Sequence, residues 1–367
     1  SMVGTFLGPR WTGTYSMISL LTSVTLAMYA LSFADYAMPF LPWLTRKAIA
    51  LSVLTILFVT NVFGVNAFAK IQGAAVILLV IALTVFTGVG LANLDPNYFE
   101  PSTFMPNGLP GLWSAAVLMS YTCDGAQYVT QMSAEAKNPT RDIPRVMLFS
   151  TLGIAAFYGL MGVVAAGVLP VDQVAGQPLN VVAEAVLSKP LYYLFMIGGA
   201  WMALLTTLNS SIASCTKPLM QACNDGWLPH KIGYIHPKFK TPVIILVGFY
   251  IVGLIPILTG LQISMIADTA VVLSNILFAF ICFGTVFISQ RMPELWEGSA
   301  FRCSKSKLYL KSILGGVSCV VMVLVLFFQM SMPQAVILVI ITIVGILFAQ
   351  LRYRSGAVKP VKSYEKL

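Results

Sequence analysis

The chain has 367 residues, of which 58% are hydrophobic and only 10% are charged, and its formal net charge is +9. Soluble domains carry about 25% charged residues, so this composition excludes an ordinary soluble protein and predicts a polytopic membrane protein. The basic residues are spread over short loops between apolar stretches, which does not favour binding to nucleic acid.

Ten apolar stretches are predicted to cross the membrane as helices, because a hydrocarbon core about 30 Å thick needs roughly 20 apolar residues per helix. The first and the sixth are too long for an upright crossing, so we expect them to tilt or to extend beyond the membrane. In chain order the stretches cover residues 11–41, 47–65, 69–92, 110–135, 144–169, 190–222, 242–259, 264–290, 309–330 and 333–351.

Two acidic residues lie inside predicted spans near their outer ends: Asp35, late in the first span, and Asp268, at the start of the eighth. An ionisable group within a span is costly and is therefore a functional candidate. The alternative for both residues is that the carboxylate reaches the outer interface and remains hydrated.

The fourth span is interrupted at Thr122-Cys123-Asp124-Gly125 and resumes a helical pattern up to Lys137-Asn138-Pro139. Glycine is conformationally permissive and aspartate competes for backbone hydrogen bonds, so we predict a break at residues 121–127. Broken helices mark the substrate site in secondary transporters. Asp124 would either contact a ligand or cap the second half-helix. If Asp35, Asp124 and Asp268 converge, the site would favour a cationic or zwitterionic amine.

The sixth span carries a polar cluster formed by Thr206, Thr207, Asn209 and Ser210. Hydroxyl and amide oxygens suit a small hard cation such as Na⁺, or the ammonium group of a substrate. The alternative is a packing role, in which these side chains bond back to helix carbonyls and let neighbouring helices approach closely.

Charge placement predicts the orientation. With residue 1 in the cytoplasm, all but three of the 22 basic residues fall on the inner side, and only Arg46, Lys47 and Lys189 face outwards. The positive-inside rule requires this asymmetry. We therefore expect a multi-pass protein of the plasma membrane with both ends of the chain in the cytoplasm.

Neither a metal site nor a catalytic centre is predicted. The six cysteines lie in spans or on the inner side without metal-ligand spacing, so free thiols are expected. Both histidines, His230 and His236, lie in the inner loop before the seventh span. An intramembrane hydrolase would need a nucleophile or carboxylates backed by a histidine at depth, so an enzyme is not favoured.

Two segments resemble the amino acid–polyamine–organocation (APC) permeases. Gly125-Ala126-Gln127, followed after eight residues by AKNPTRDIPR (136–145), is similar to the family's broken sixth helix and the loop after it. ACNDGWLP (222–229), followed by KTP (240–242), is similar to the loop after the family's eighth helix. The resemblance covers essentially the whole chain.

The resemblance implies an all-α, leucine-transporter-type inverted-repeat fold with about 10 transmembrane helices, in which the chain begins at the family's third helix and lacks the first two. The implied parts are the remainder of the first repeat (1–92), an extracellular loop (93–108), the second repeat with its break at 121–127 (109–290), a cytoplasmic loop (291–308), two accessory helices (309–351) and a basic cytoplasmic tail (352–367).

The function implied by the resemblance is secondary active transport of an amino acid or polyamine-like amine by alternating access. The substrate would be bound by backbone groups of residues 121–125, and Tyr121 could close over it. Coupling to Na⁺, coupling to H⁺ and exchange all remain open, and no cofactor is expected. The candidate substrate contacts are Tyr121, Thr122, Cys123, Asp124, Gly125, Gln127, Asp35 and Asp268, and the candidate ion ligands are Thr206, Thr207, Asn209 and Ser210.

The sequence departs from the family pattern at Cys123, Ala126 and Gln127, where relatives usually carry aromatic residues and an acid. A chain without the family's first two helices lacks half of the site and could be inactive on its own. The alternative is a non-transporting membrane scaffold or subunit derived from a permease.

Overall fold

The computed structural model describes residues 2–64, 67–123, 125–126, 129–130, 136–299 and 302–359. Over these residues the protein is all-helical and contains no strand, which confirms the predicted fold class. The α-helices in chain order are α1 (Met2–Phe6), α2 (Pro9–Leu21), α3 (Thr25–Ala37), α4 (Arg46–Val62), α5 (Ala67–Ala92), α6 (Pro101–Phe104), α7 (Gly108–Ser120), α8 (Pro139–Gly167), α9 (Val171–Val174), α10 (Asn180–Val186), α11 (Lys189–Tyr193), α12 (Met202–Asn224), α13 (Val243–Thr259), α14 (Ile263–Thr285), α15 (Ile288–Arg291), α16 (Pro293–Glu297), α17 (Lys305–Phe327) and α18 (Met332–Arg354).

Tighter and wider turns interrupt this series. Short 3₁₀ turns occupy Thr22–Val24, Tyr121–Cys123 and His230–Gly233. A wide π-helical segment, Leu194–Trp201, joins α11 to α12.

Seven helical segments of the described residues are long and apolar enough to cross a membrane. Three of the ten predicted stretches form shorter helices: α4 has 17 residues, α7 has 13 and α13 has 17. Local features end two of these helices: α7 ends at the predicted break, and α13 ends before Gly260, which takes a left-handed conformation. The seven segments are Pro9–Ala37, Gly73–Ala92, Pro139–Gly167, Lys189–Asn224, Ile263–Thr285, Lys305–Phe327 and Met332–Arg354.

The chain forms two compact units, and the first comprises residues 1–73, 204–298 and 302–367. Its centre is the packing of α3 against α4, α13 and α14, and α14 also lies along α17. Leu26, Leu54, Ile257 and Leu273 are almost fully buried there. The hydroxyls of Thr285 on α14 and Ser312 on α17 lie 2.6 Å apart, which adds a polar contact to an otherwise apolar helix pair.

Trp227, in the loop after α12, is the largest buried side chain of this unit and only 1% of its surface is exposed. It packs among Met17, Ala222 and Ala349, and its ring stacks on Tyr353. Gly13 on α2 faces the indole so closely that a methyl group added at Gly13 would overlap the ring. The sequence therefore needs glycine at this position for α2 to reach the loop.

The end of α18 is tied to the same loop by hydrogen bonds. The Arg352 guanidinium donates to the carbonyl of Gly226 at 3.1 Å, and the Lys359 N–H donates to the carbonyl of Asp225 at 2.9 Å. Gln350 on α18 accepts a hydrogen bond from Arg10 at 2.6 Å. Helix α18, predicted as an accessory helix, is thus bonded directly to the α12 loop and to α2.

The second unit comprises residues 74–203 and 299–301. In it α5 and α8 meet where Gly90 lies against Val164, and the Asp95 N–H donates to the carbonyl of Gly167 at 2.8 Å. The ring of Phe86 on α5 lies 4.7 Å from that of Phe195 in the π-helical segment. These contacts hold α5 against both α8 and the segment that precedes α12.

Candidate functional site

The regular helix of the fourth predicted span ends at Ser120, inside the stretch that the sequence expects to cross the membrane. A 3₁₀ turn follows at Tyr121–Cys123, and Gly125 has a φ of 129°. Residues with side chains rarely adopt such a φ, whereas glycine adopts it readily. A helix therefore ends within a stretch of membrane-spanning length, at the position where a break is predicted.

Two hydroxyl groups bind carbonyls at the end of α7. The Ser120 hydroxyl donates to the carbonyl of Val117, and the Thr122 hydroxyl donates to that of Met119, both at 2.6 Å. The last four carbonyls of an α-helix receive no hydrogen bond from N–H groups of the same helix, and they lie at the negative end of its dipole. Carbonyls at this position suit a positively charged group such as an ammonium.

Helix α8 packs beside the 3₁₀ turn of residues 121–123. Thr122 is exposed, whereas Cys123 is partly buried, and their hydroxyl and thiol lie 3.9 Å apart. Of the remaining predicted contacts in this segment, Asp124 and Gln127 lie outside the described residues, as does the side chain of Tyr121. The structure thus gives the backbone course at this site for Tyr121, Thr122, Cys123 and Gly125.

Asp35, a predicted substrate contact on α3, forms an ion pair with Arg46 at the start of α4. The guanidinium donates to both carboxylate oxygens, at 2.5 and 2.8 Å. The two side chains are 24% and 39% exposed, respectively. Because both oxygens already accept from a cation, this geometry favours a role in joining α3 to α4 over binding of a ligand amine.

Removing one partner of this ion pair should destabilise the first unit. We expect Asp35→Asn and Arg46→Gln each to lower the unfolding temperature, at a cost of about 1 kcal/mol because both groups are partly hydrated. The double variant should be no less stable than either single variant, since the second substitution removes a group that has already lost its partner. Thermal unfolding of the four proteins in detergent tests this, and additive losses would contradict the pairing.

Asp268, the other acidic candidate, lies on α14 and is half-buried. Within the part of the chain that the structure describes, it takes part in no ion pair. Nearby on the same helix, the Thr269 hydroxyl donates to the Met265 carbonyl, and Gln334 of α18 donates to that carbonyl at 2.9 Å. Asp268 thus remains a candidate on its own, beside a polar contact between two spans.

The polar cluster on α12 divides between two faces of the helix. Thr206 and Asn209 are partly buried, Thr207 and Ser210 are exposed, and Leu208 between them is buried. A spacing of three residues places each of the two pairs on its own face. Only one half of the predicted ion-binding set therefore points into the packed part of the first unit.

Asn209 is bound by a residue that the sequence reasoning missed. The Asn61 amide on α4 donates to the Asn209 side-chain oxygen at 2.8 Å and to the carbonyl of Leu57 at the same distance. The available signal was an asparagine near the end of an apolar stretch.

Among the described residues, no cluster of three His, Cys, Asp or Glu side chains could hold a metal ion. The oxygens offered here are amide and hydroxyl oxygens.

The Asn61–Asn209 bond should make a small but measurable contribution to stability. Hydrogen bonds between membrane helices contribute about 0.6 kcal/mol on average. We therefore expect Asn61→Ala and Asn209→Ala to interact by about that amount in a double-mutant cycle of unfolding in mixed micelles. Ser210→Ala, on the exposed face of the same helix, is the matched control and should have almost no effect. An interaction energy of zero between the two substitutions would contradict the contact.

A second irregular segment was also missed, the π-helical turn at Leu194–Trp201. Such turns are uncommon and occur frequently at functional sites. The sequence signal at this place is the pair Gly198-Gly199. Both glycines do face α5 closely, since a methyl group on Gly198 would lie 2.8 Å from Leu78.

Comparison with known proteins gives a family match across most of the chain. The pattern of the family described as "Amino acid permease" matches residues 3–349. The branched-chain amino acid permease BcaP of Bacillus subtilis (strain 168) is 27% identical over 246 residues, which cover 65% of this chain and 51% of that protein.

Two further relatives are named for other substrates. The methylthioribose transporter of Bacillus subtilis (strain 168) is 25% identical over 52% of this chain and 41% of its own length. The cationic amino acid transporter 3, mitochondrial, of Arabidopsis thaliana is 29% identical over 40% of this chain and 24% of its own length. The chain spans about half the length of the first curated relatives it matches.

Proposed function

The chain belongs to the amino acid permease family, and from this we propose that the protein carries an amino acid or a related amine across the membrane by alternating access. The family match over residues 3–349 is the observation that carries the proposal. The chain is a multi-pass membrane protein, and its relatives are transporters rather than enzymes. We further propose that it lies in the plasma membrane with both ends of this chain in the cytoplasm, as the distribution of basic residues favours.

We place the substrate amine at the interruption after α7. The end of α7 offers carbonyl groups, and the 3₁₀ turn and Gly125 take the backbone out of helical geometry there. In secondary transporters, non-helical backbone of this kind contacts substrates near the middle of the membrane. Residues 121–125 and Gln127 are the proposed contacts, whereas Asp35 is less suited because Arg46 occupies its carboxylate.

We propose that transport is coupled to Na⁺, which would bind at the polar face of α12. Thr206 and Asn209 present oxygen atoms on one face of the helix, and amide and hydroxyl oxygens are ligands for Na⁺. Proton coupling and exchange are the alternatives, and both predict transport without Na⁺. No organic cofactor enters the proposal.

Transport by the product of the whole gene tests the proposal. The purified protein would be placed in liposomes and offered labelled leucine, arginine and methylthioribose under a Na⁺ gradient, a pH gradient, or internal unlabelled substrate. We expect saturable uptake of leucine or arginine under one of these conditions, and none into empty liposomes, whereas uptake of methylthioribose alone would contradict an amine substrate. A folded protein that moves none of them under any condition would overturn the proposal and favour a non-transporting membrane subunit.

A further inference from the structure

A polar cavity of about 480 Å³ lies in the segment that connects α14 to α17, within the first unit. Its volume is in the range of small-ligand sites. Both flanking helices are long and apolar enough to span a membrane, so the cavity lies where two spans leave the same face of the membrane. It is lined by Ser289, Pro293, Trp296, Glu297, Arg302, Cys303, Ser304 and Lys305.

The cavity has an excess of positive charge and of hydrogen-bond donors. Arg302 and Lys305 contribute two positive charges against the single negative charge of Glu297. The cavity also includes the N-terminus of α17, a helix of 23 residues. The Ser304 hydroxyl accepts from the Lys307 N–H at 3.4 Å, whereas the first two helical N–H groups have no acceptor within the helix. Such helix ends attract anions.

Ser289 is the observation that points independently to a ligand. It is 8% exposed, and its hydroxyl has no hydrogen-bond partner among the described residues. A buried hydroxyl without a partner is costly, and each such group in a folded protein needs an explanation. Ser289 lines the cavity, so a change of its side-chain rotamer would let the hydroxyl donate to an acceptor bound there.

The frame of the cavity is well packed. Helices α14 and α17 lie side by side, and Gly316 lets the Phe283 ring approach the α17 backbone. The hydroxyls of Thr285 and Ser312 meet at 2.6 Å just below the connecting segment. Trp296 is partly buried in the cavity wall, and tryptophan is enriched at membrane–water interfaces.

We propose that this cavity binds a phosphate group, supplied by the headgroup of a phospholipid at the membrane surface. Arg302, Lys305 and the first N–H groups of α17 would bind the phosphate oxygens, and Ser289 would donate its hydroxyl to one of them. Glu297 would weaken the binding of a purely anionic headgroup. This proposal is independent of the transport function.

Cys303 provides a reporter inside the cavity, because it is a free thiol in its lining. The purified chain would be delipidated in a phosphate-free maltoside detergent and treated with N-ethylmaleimide, and modification of Cys303 would be followed by mass spectrometry. The probes are dioleoylphosphatidylglycerol, inorganic phosphate and dioleoylglycerol, which has the same acyl chains but no phosphate.

We expect dioleoylphosphatidylglycerol to slow the modification of Cys303 several-fold and dioleoylglycerol to leave it unchanged. Protection by the phospholipid but not by inorganic phosphate supports a lipid headgroup as the source of the phosphate. Protection by both also supports the site and shows that free phosphate is sufficient for binding. The absence of protection by both, or equal protection by dioleoylglycerol, would overturn the proposal.

Charge variants separate binding from folding. Removing one cation near an anionic surface should weaken phospholipid protection about fivefold, so we expect this for Arg302→Gln and for Lys305→Gln. Ser289→Ala should weaken it about threefold by removing one hydrogen bond. Glu297→Gln should strengthen it, an effect of opposite sign that a loss of folding would not produce.

Lys311→Gln is the matched control, because Lys311 is an exposed cation on α17 that does not line the cavity. It should leave protection unchanged. In the absence of probe the charge variants should unfold at the wild-type temperature, and Ser289→Ala should unfold at that temperature or above it, because it removes a buried hydroxyl without a partner among the described residues. Equal effects of Lys311→Gln and Lys305→Gln would contradict a defined site.

Discussion

Replacing Gly13 with alanine is expected to destabilise the protein, although alanine is the better helix former. Within a helix, alanine is favoured over glycine by about 0.5–1 kcal/mol. At Gly13 the added methyl group would overlap the Trp227 indole. The ring cannot retreat readily, since it is 1% exposed, packs among Met17, Ala222 and Ala349, and stacks on Tyr353. Forcing atoms into such a core typically costs about 1–3 kcal/mol, so the steric cost should exceed the helical gain.

The unfolding temperature of Gly13→Ala in detergent tests this expectation. Gly248→Ala is the matched control, because a methyl group there meets no atom of the described residues within 4 Å, and it should leave the temperature unchanged or raise it. In a Trp227→Leu background, Gly13→Ala should cost much less, since the overlapping ring is gone. An unfolding temperature equal to that of the wild type for Gly13→Ala alone would contradict the close approach of α2 to the loop.

Replacing Gly125 with alanine is expected to impair transport while leaving the rest of the fold intact. Among the described residues a methyl group at this position meets nothing within 4 Å, so a steric effect is not expected. The cost is conformational, because a φ of 129° is rarely adopted by residues with side chains. Holding a residue in such a region costs about 1–3 kcal/mol. If the substrate is bound by this backbone, that cost corresponds to a loss of roughly tenfold or more in apparent affinity.

Uptake by the whole gene product in liposomes measures this effect. Gly153→Ala on α8 is the control, because it adds a methyl group in open space without a positive φ, and it should transport as the wild type does. Gly153→Ala should unfold at nearly the wild-type temperature, and Gly125→Ala should still fold but unfold at a slightly lower temperature because of the strained φ. Wild-type affinity and rate in Gly125→Ala would show that the substrate does not depend on the backbone at this break.

The sequence was sufficient to predict the fold class because the apolar stretches are long and charged residues are few. It also located the end of α7, since Gly125 and its polar neighbours are strong local signals. The end of α4 was placed at residue 65, beyond Val62 where the helix stops, because the apolar stretch continues further, whereas α13 ends at the predicted residue, Thr259. Local turns and caps, rather than apolar character, determine those ends.

Side-chain partners were the least predictable part of the candidate site. Asp35 was weighed as a ligand because its charge is visible in the sequence, whereas its pairing with Arg46 depends on how α3 meets α4. Asn61 was missed for a similar reason, because its partner Asn209 is 148 positions away along the chain. The π-helical turn at Leu194–Trp201 depends on close packing against α5, which two glycines permit but do not specify.

The bonds between the end of α18 and the loop after α12 have a consequence for motion. Arg352 and Lys359 bind the carbonyls of that loop, and Gly13 and Trp227 join α2 to it. A transport cycle that shifted α12 alone would have to break these hydrogen bonds and open a tightly filled aromatic pocket. We therefore expect α2, the C-terminal half of α12 and α18 to move together as one rigid group, with bending at irregular turns elsewhere in the chain.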